Sequence, residues 1–164
     1  MNYECVIASK EQIIKKWDYE IKRHRNSPEW IYFKNNSLAN LDTRIVYMGI
    51  LDGKIITEAT AIVSLNDKGI QNKDGLIGED MAYLSAFRTN KEYEGLGYFS
   101  KLYKFMENDL KKRGFKTLTL GVEPCEVRNI LIYFSWGYIN YIKSNYETYL
   151  HSKVLVNYYS KNLE

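Results

Sequence analysis

Cysteine and histidine are scarce in this chain. Cys5 and Cys125 stand far apart without CxxC spacing, and His24 and His151 are the only histidines. That excludes a disulfide framework or a zinc site, and it makes a reducing cytoplasm the expected compartment. No apolar run approaches the ~20 residues that cross a bilayer. The opening MNYECVIASKEQII lacks the basic region and apolar stretch of a secretory signal, so a soluble chain with no membrane contact is expected. Charge of neither sign dominates: 23 Lys and Arg face 20 Asp and Glu, for a net charge of +3, and the lysines form no stripe. Nucleic acid is not an expected partner, whereas a small polyphosphate ligand is compatible with this balance. Internal repeats and low-complexity tracts are absent.

What is present fits one domain over residues 1–164, with 45% apolar residues to build a core. YECVI reads as a first strand. Ile13, Ile14, Trp17 and Ile21 then recur at helical spacing. A second helix starts at NSPEW, where Ser27 is expected to cap and Pro28 suits the first helical position, and it ends near Asn40. In TRIVYMGILDGKIITEATAIVSL, β-branched runs flank Asp52-Gly53, the signature of a hairpin with a type I′ turn. The polar, Gly-rich NDKGIQNKDGLIGED leads to a further strand, MAYLSAFR.

Phe99, Leu102, Tyr103, Met106 and Leu110 form one apolar face of a helix closed by Gly114. KTLTLGV reads as a buried strand. EVRNILIYFSW reads as a short helix with Val127, Ile130, Leu131 and Phe134 inward, stopped at Gly137. YINYIKSNYETYL and KVLVNYYS close the chain as two strands. The order β-α-α-β-β-β-α-β-α-β-β predicts a mixed α/β (α+β) architecture, a central mixed sheet of about seven strands flanked by about four helices.

Gly95 and Gly97 sit between the strand ending AFRT and the helix starting near Tyr98. A strand, a glycine loop and a helix N-terminus together present backbone N–H groups at the positive end of a helix dipole, which suits an anion, above all phosphate. A P-loop would need Gly-Lys-Ser/Thr where Gly97 is followed by Tyr98-Phe99, and a dinucleotide fingerprint would need a third glycine where Ser100 stands. A tight turn with no ligand is the plain alternative.

TNKEYEGLGYFSKLYKFM resembles the acetyl-CoA motif of the GNAT superfamily of N-acetyltransferases. Tyr93, Gly95, Gly97 and Leu102 match it, while Thr89 replaces the usual Val, Glu94 the Arg or Gln, and Phe99 a small residue. EVRNILIYFSWGY resembles the family's second segment through Ile132, Tyr133, Gly137 and Tyr138, with Glu126 and Asn129 in place of its Asn and Ala. The resemblance covers about residues 84 to 138. It implies the GNAT fold and acetyl-CoA as cosubstrate, with no metal. It also implies main-chain N–H groups of Glu94, Gly95, Leu96, Gly97, Tyr98 and Phe99 on the pyrophosphate, and Asn129 and Tyr133 against the coenzyme.

Acetyl transfer to an amine requires a neutral amine, a stabilised oxyanion and a protonated leaving thiolate. By the resemblance, main-chain N–H on Phe87, Arg88 and Thr89 meets the oxyanion, and Tyr133 is the general acid. Glu123 is the candidate base, with Glu79 and Asp80 as other candidates; Lys101 and Arg113 are candidates for the 3′-phosphate of coenzyme A. A packed tyrosine and solvated loop acids are the structural alternatives. The acceptor, a small-molecule or peptide amine, is left open, and Trp17, Trp30, Tyr32, Tyr146 and Tyr149 are candidates to shape its pocket. A non-catalytic acyl-CoA-binding or regulatory module is the competing function. The alternating last strands suggest an edge that pairs with a second copy, a homodimer.

Overall fold

The computed structural model describes residues 1–149 and 151–164, with the Tyr149 side chain outside the described set. Its element order is the expected one. β1 (Tyr3–Ile7), α1 (Lys10–Arg23) and α2 (Pro28–Ala39) precede the hairpin β2 (Arg44–Leu51) and β3 (Lys54–Ile62). β4 (Met81–Thr89), α3 (Tyr98–Lys112) and β5 (Thr117–Val122) follow, and α4 (Val127–Ser135), β6 (Asn140–Tyr149) and β7 (Ser152–Asn162) complete the chain. The hairpin turns on Asp52 and Gly53 at φ 48° and 83°, the positive pair that a type I′ turn demands.

All seven strands form one sheet in the order β1-β2-β3-β4-β5-β7-β6. β4 and β5 pair in parallel because α3 carries the chain across between them, and the other described neighbours pair antiparallel.

Alternation along β3 decides which helix meets which face. Ala59 and Ala61 are fully buried beside Leu102, Met106 and Leu110 of α3, and their small side chains let the helix lie close. Tyr47, Ala82, Leu84, Leu118 and Leu120 extend that core, and each buried Leu or Met contributes about 1.5–3 kcal/mol. Ile13, Trp17 and Phe33 of α1 and α2 share a cavity with Val46, Met48 and Thr60, so these helices cover the opposite face. On that side Leu76 and Ile77 of the Gly-rich loop pack with Ile62, Tyr83, Val156 and Tyr158.

Two local expectations are corrected. Ser27 sits at the N-cap of α2, but its side chain makes no capping hydrogen bond; a full capping box instead opens α1, between Ser9 and Gln12. α4 turns a different face to the core. Val127 and Leu131 are 60% and 64% exposed and Phe134 is also exposed, while Asn129, Ile130, Tyr133 and Trp136 are half-buried. Six of the nine residues of this helix are apolar, too many for one buried face, and its docking is set by Phe87 and Phe99 beneath Tyr133 and Trp136.

Candidate active site

β4 pairs with β5 only from Met81 to Leu84, against Thr117 to Leu120. Beyond Leu84 the strands part, and β5 continues its ladder with β7 alone. The parting coincides with a β-bulge in β4, where the register against β3 shifts between Glu58 and Thr60 and Ala86 takes φ 56°, a conformation an alanine rarely adopts. The main chain from Ser85 to Thr89 therefore lacks a β5 partner and faces an open cleft of about 310 Å3. Phe87, Arg88, Thr89, Glu94, Gly95 and Phe99 line one side of it; Arg128, Asn129, Ile132, Tyr133 and Trp136 line the other.

The glycine loop forms the cleft's rim. Gly97 is the N-cap of α3 at φ 85° and Gly95 lies at φ 74°, so both occupy the left-handed region that costs any other residue energy. No side chain caps α3, and its first loop-to-helix bond runs from Lys101 N–H to the Gly97 carbonyl. The six N–H groups from Gly95 to Ser100 consequently donate to no protein acceptor among the described residues. Glu94 differs: its N–H is taken by the Lys91 carbonyl at 3.3 Å, so the free donors begin one residue later than expected. Tyr3 pins the loop from β1, its hydroxyl donating to the Tyr98 carbonyl at 2.9 Å. Six free donors at and before a helix N-terminus fit a diphosphate.

Tyr133 reaches the cleft from α4. Its ring meets Phe87 edge to face at 6.0 Å and Trp136 at 5.9 Å, and its hydroxyl has no hydrogen-bond partner within the protein among the described residues. Burial, with the Glu126 carboxylate adding to it, pushes its pKa up to about 12. A phenol so placed stays protonated at neutral pH and can donate. Phe99, at the position of a small residue in the motif, lies 5.1 Å from Phe87 and stacks on Trp136, which in turn stacks on Tyr103 at 4.1 Å.

The remaining expected residues divide. Asn129 lines the cleft with Tyr133, one helical turn before it. Leu96, Gly97 and Tyr98 belong to the loop but not to the cleft wall. Glu123 lies just past the end of β5, beyond the cleft wall, with its N–H donating to Glu126 Oε2 at 3.2 Å. Glu79 and Asp80 are exposed at the N-terminal end of β4, the far end from the cleft. Arg113 caps the other end of α3 and pairs with Asp109 at 2.8 Å, a helix length from the loop, while Lys101 stands in the first turn. Arg128 and Trp136 were not anticipated, although Trp136 falls on the helical stripe through Asn129 and Tyr133 and Arg128 stands one turn before Ile132. Trp17 and Trp30 form an aromatic cluster with Phe33, and Tyr32 and Tyr146 are exposed.

Residues 11–138 match the model of the acetyltransferase (GNAT) family. A search of curated protein sequences finds no match. Among solved structures, the ribosomal-protein-S18-alanine N-acetyltransferase from Escherichia coli superposes with a TM-score of 0.71 at 19% identity, covering 98% of this chain and 94% of that one. An N-acetyltransferase from Staphylococcus aureus Mu50 gives 0.66 at 14% identity, with 100% of each chain covered. A Bacillus anthracis str. Ames protein named as a streptothricin acetyltransferase, in complex with acetyl coenzyme A, gives 0.56 at 18% identity over 74% of this chain and 64% of that one. At these identities the structures speak for the fold, and the family model, which spans more than three quarters of the 164 residues, speaks for descent: this chain belongs to the GNAT acetyltransferase family.

Proposed function

We propose that residues 1–164 form a single acetyl-CoA-dependent N-acetyltransferase domain that moves an acetyl group to a primary amine by direct attack in a ternary complex. The observation that carries this is the run of free N–H groups from Gly95 to Ser100 at the N-terminus of α3, beside the point where β4 leaves β5. Those amides hold the diphosphate of the coenzyme, and the cleft between Phe87 and Tyr133 takes the thioester arm.

Bound acetyl-CoA supplies the activated acyl group. The main chain of Phe87 to Thr89, paired with β3 on one side but without a β5 partner on the other, offers N–H to the thioester carbonyl oxygen as negative charge gathers there, and the bulge at Ala86 aims it. The amine nitrogen bonds to the carbonyl carbon, the carbon–sulfur bond breaks, and the thiolate takes the Tyr133 phenolic proton. The amine surrenders its own proton through water to Glu123, at the end of β5. The naming of one similar structure as an alanine N-acetyltransferase supports an amine acceptor.

A second function, a module that holds acyl-CoA without turnover, is favoured by Phe99, whose ring lines the cleft where the motif has a small residue. Release of free thiol from acetyl-CoA, followed with and without a panel of primary amines, separates the two. Amine-dependent release is expected, and thermal stabilisation by acetyl-CoA with no release from any amine would favour the module. The exposed Tyr141 and Tyr146 on the edge strand β6 support pairing with a second copy; light scattering at tens of micromolar is expected to give a dimer mass, and a ~19 kDa species rejects it.

A further inference from the structure

No residue of α4 is fully buried, although the helix carries Asn129, Ile132 and Tyr133 to the coenzyme cleft. Its inner side rests on Phe87 and Phe99. Its outer side is a stripe of Val127, Leu131 and Phe134, spaced four and three residues apart and all exposed. Nine residues are too few to hold a helix unaided, since isolated helices shorter than ~12–15 residues are marginal, so α4 depends on what packs against it.

The stripe runs onto the sheet. Phe134 meets Tyr159 of β7 edge to face at 5.3 Å, and Tyr159 meets Tyr141 of β6 at 5.9 Å. The register sets Tyr141 opposite Tyr159, Ser144 opposite Asn157 and Tyr146 opposite Leu155, so these six residues share the face on which α4 lies. Past α4 that face is open: Tyr141 and Tyr146 are each 59% exposed, and Leu155 is exposed beside Tyr146. Ile139, in the link from α4 to β6, is exposed as well. Ser144 donates to Asn157 Oδ1 at 2.6 Å and shares a 2.6 Å hydrogen bond with the Tyr141 hydroxyl, so both hydroxyls keep their bonds when water leaves. None of the six side chains is charged, and Lys153, whose ammonium lies 5.0 Å over the Tyr146 ring, is a charge at the rim.

Taking ~150–250 Å2 for a whole aromatic side chain and less for an aliphatic one, the exposed part of this surface comes to roughly 700 Å2. The largest apolar patch of an ordinary monomer is ~300–600 Å2, and a standard interface takes ~800 Å2 from each partner. We propose that a second copy of this chain covers the surface, the α4 stripe and the adjoining face of β6 and β7 packing on the same surface of the other copy about a two-fold axis, and that coenzyme binding depends on this cover because it holds α4 from outside. The contact rests on the pairing of copies proposed above and gives it a place and a part in coenzyme binding. An uncharged patch of this size suits its own copy: the two meet without burying a pair of like charges, and each supplies the apolar neighbour the other lacks.

Sedimentation equilibrium of the whole protein, from low-micromolar to hundred-micromolar concentration, is expected to give twice 19.3 kDa for the wild type. Leu131→Glu on α4 and Tyr141→Glu on β6 each set a charge at an exposed position of the face and should raise the dimer dissociation constant about tenfold or more. Leu65→Glu, at an exposed position in the loop after β3, should leave it unchanged. Calorimetric titration of acetyl-CoA should then show binding weaker by about fivefold or more in the two monomeric variants than in Leu65→Glu, the lower end of ordinary coupling between sites. A dimer that the folded variants keep, or one that Leu65→Glu loses as readily, overturns this contact and leaves pairing through another surface; a monomeric wild type overturns both. Monomeric variants that bind acetyl-CoA as tightly as the dimer overturn the dependence of the coenzyme site on the cover. If one variant fails to fold, the other, on a different element, decides. A wild type that dimerises through this face yet binds no acetyl-CoA would contradict the coenzyme function and its tie to the dimer, and leave the contact between copies standing.

Discussion

Phe87 on β4 and Tyr133 on α4 meet edge to face, with ring centroids 6.0 Å apart and planes at 73°, and so fix the phenol over the gap that β5 leaves open. The pair separates packing from chemistry. Tyr133→Phe keeps the ring and removes a hydroxyl that bonds to nothing in the protein, so stability should change by no more than about 0.5 kcal/mol. Acetyl-CoA affinity should hold while the single-turnover rate falls about a hundredfold or more, the scale of general acid catalysis. A wild-type rate in this variant removes Tyr133 from the mechanism.

Tyr133 also predicts a pH dependence. Its folded pKa is raised, from 10.0 to about 12, so the unfolded chain loses the proton first as pH climbs. Its contribution is complete below pH ~10 and is lost as pH rises towards about 12. Denaturant midpoints measured from pH 9 to 11 should therefore fall more steeply for the wild type than for Tyr133→Phe. The transfer rate should show no loss from this group between pH 8 and 10, and an alkaline limb there that vanishes in the variant would contradict the assignment.

Ala86 stores strain at the bulge. Its φ of 56° should make Ala86→Val costly, by about 2 kcal/mol, because a left-handed conformation is harder still on a β-branched side chain. Ala86→Gly relieves that strain at an entropic cost of similar size and should stay within about 1 kcal/mol of the wild type. Chemical denaturation checks both. Equal stabilities for Val and Ala would mean that the bulge is unstrained.

Much of this was legible because the signals are local. Asp52-Gly53 announced its turn, Leu102, Tyr103, Met106 and Leu110 their buried face, and Gly95 and Gly97 a loop that needs positive φ. The sheet order could not be read, since nothing in β5 says that β7 rather than β6 will lie beside it. α4 failed for a related reason: Val127, Leu131 and Phe134 are as apolar as Ile130 and Tyr133, and only the partners Phe87 and Phe99 choose between them. Glu20 and Arg88 are 68 residues apart, so their pairing had no sequence signature.

Asp67 anchors the loop after β3. It is buried, and Arg44 grips it bidentately at 2.6 and 2.8 Å while the Thr43 hydroxyl and Gly69 N–H donate at 2.7 and 2.8 Å. Burial raises its pKa, but the hydrogen bonds from Arg44, Thr43 and Gly69 together outweigh burial and hold it below the usual carboxylate range. The stability it supplies is complete above pH ~4 and is lost as pH falls through the lowered value. Asp67→Asn should cost about 3–5 kcal/mol at neutral pH, as for other buried pairs broken on one side. It should also flatten the acid limb of the stability curve. A variant as stable as the wild type at pH 7 would show that the pair is dispensable.

The central claim is that the loop from Gly95 to Ser100 binds the coenzyme through its main chain. Calorimetric titration of acetyl-CoA into the wild type and Gly97→Val tests it most directly. The space around Gly97 is open, so the substitution acts through its φ of 85° and by setting a side chain among the free amides, not through a clash with the core. Saturable binding by the wild type and none by a folded Gly97→Val is the expected result. No binding by the wild type, or equal affinity in the two proteins, would contradict it.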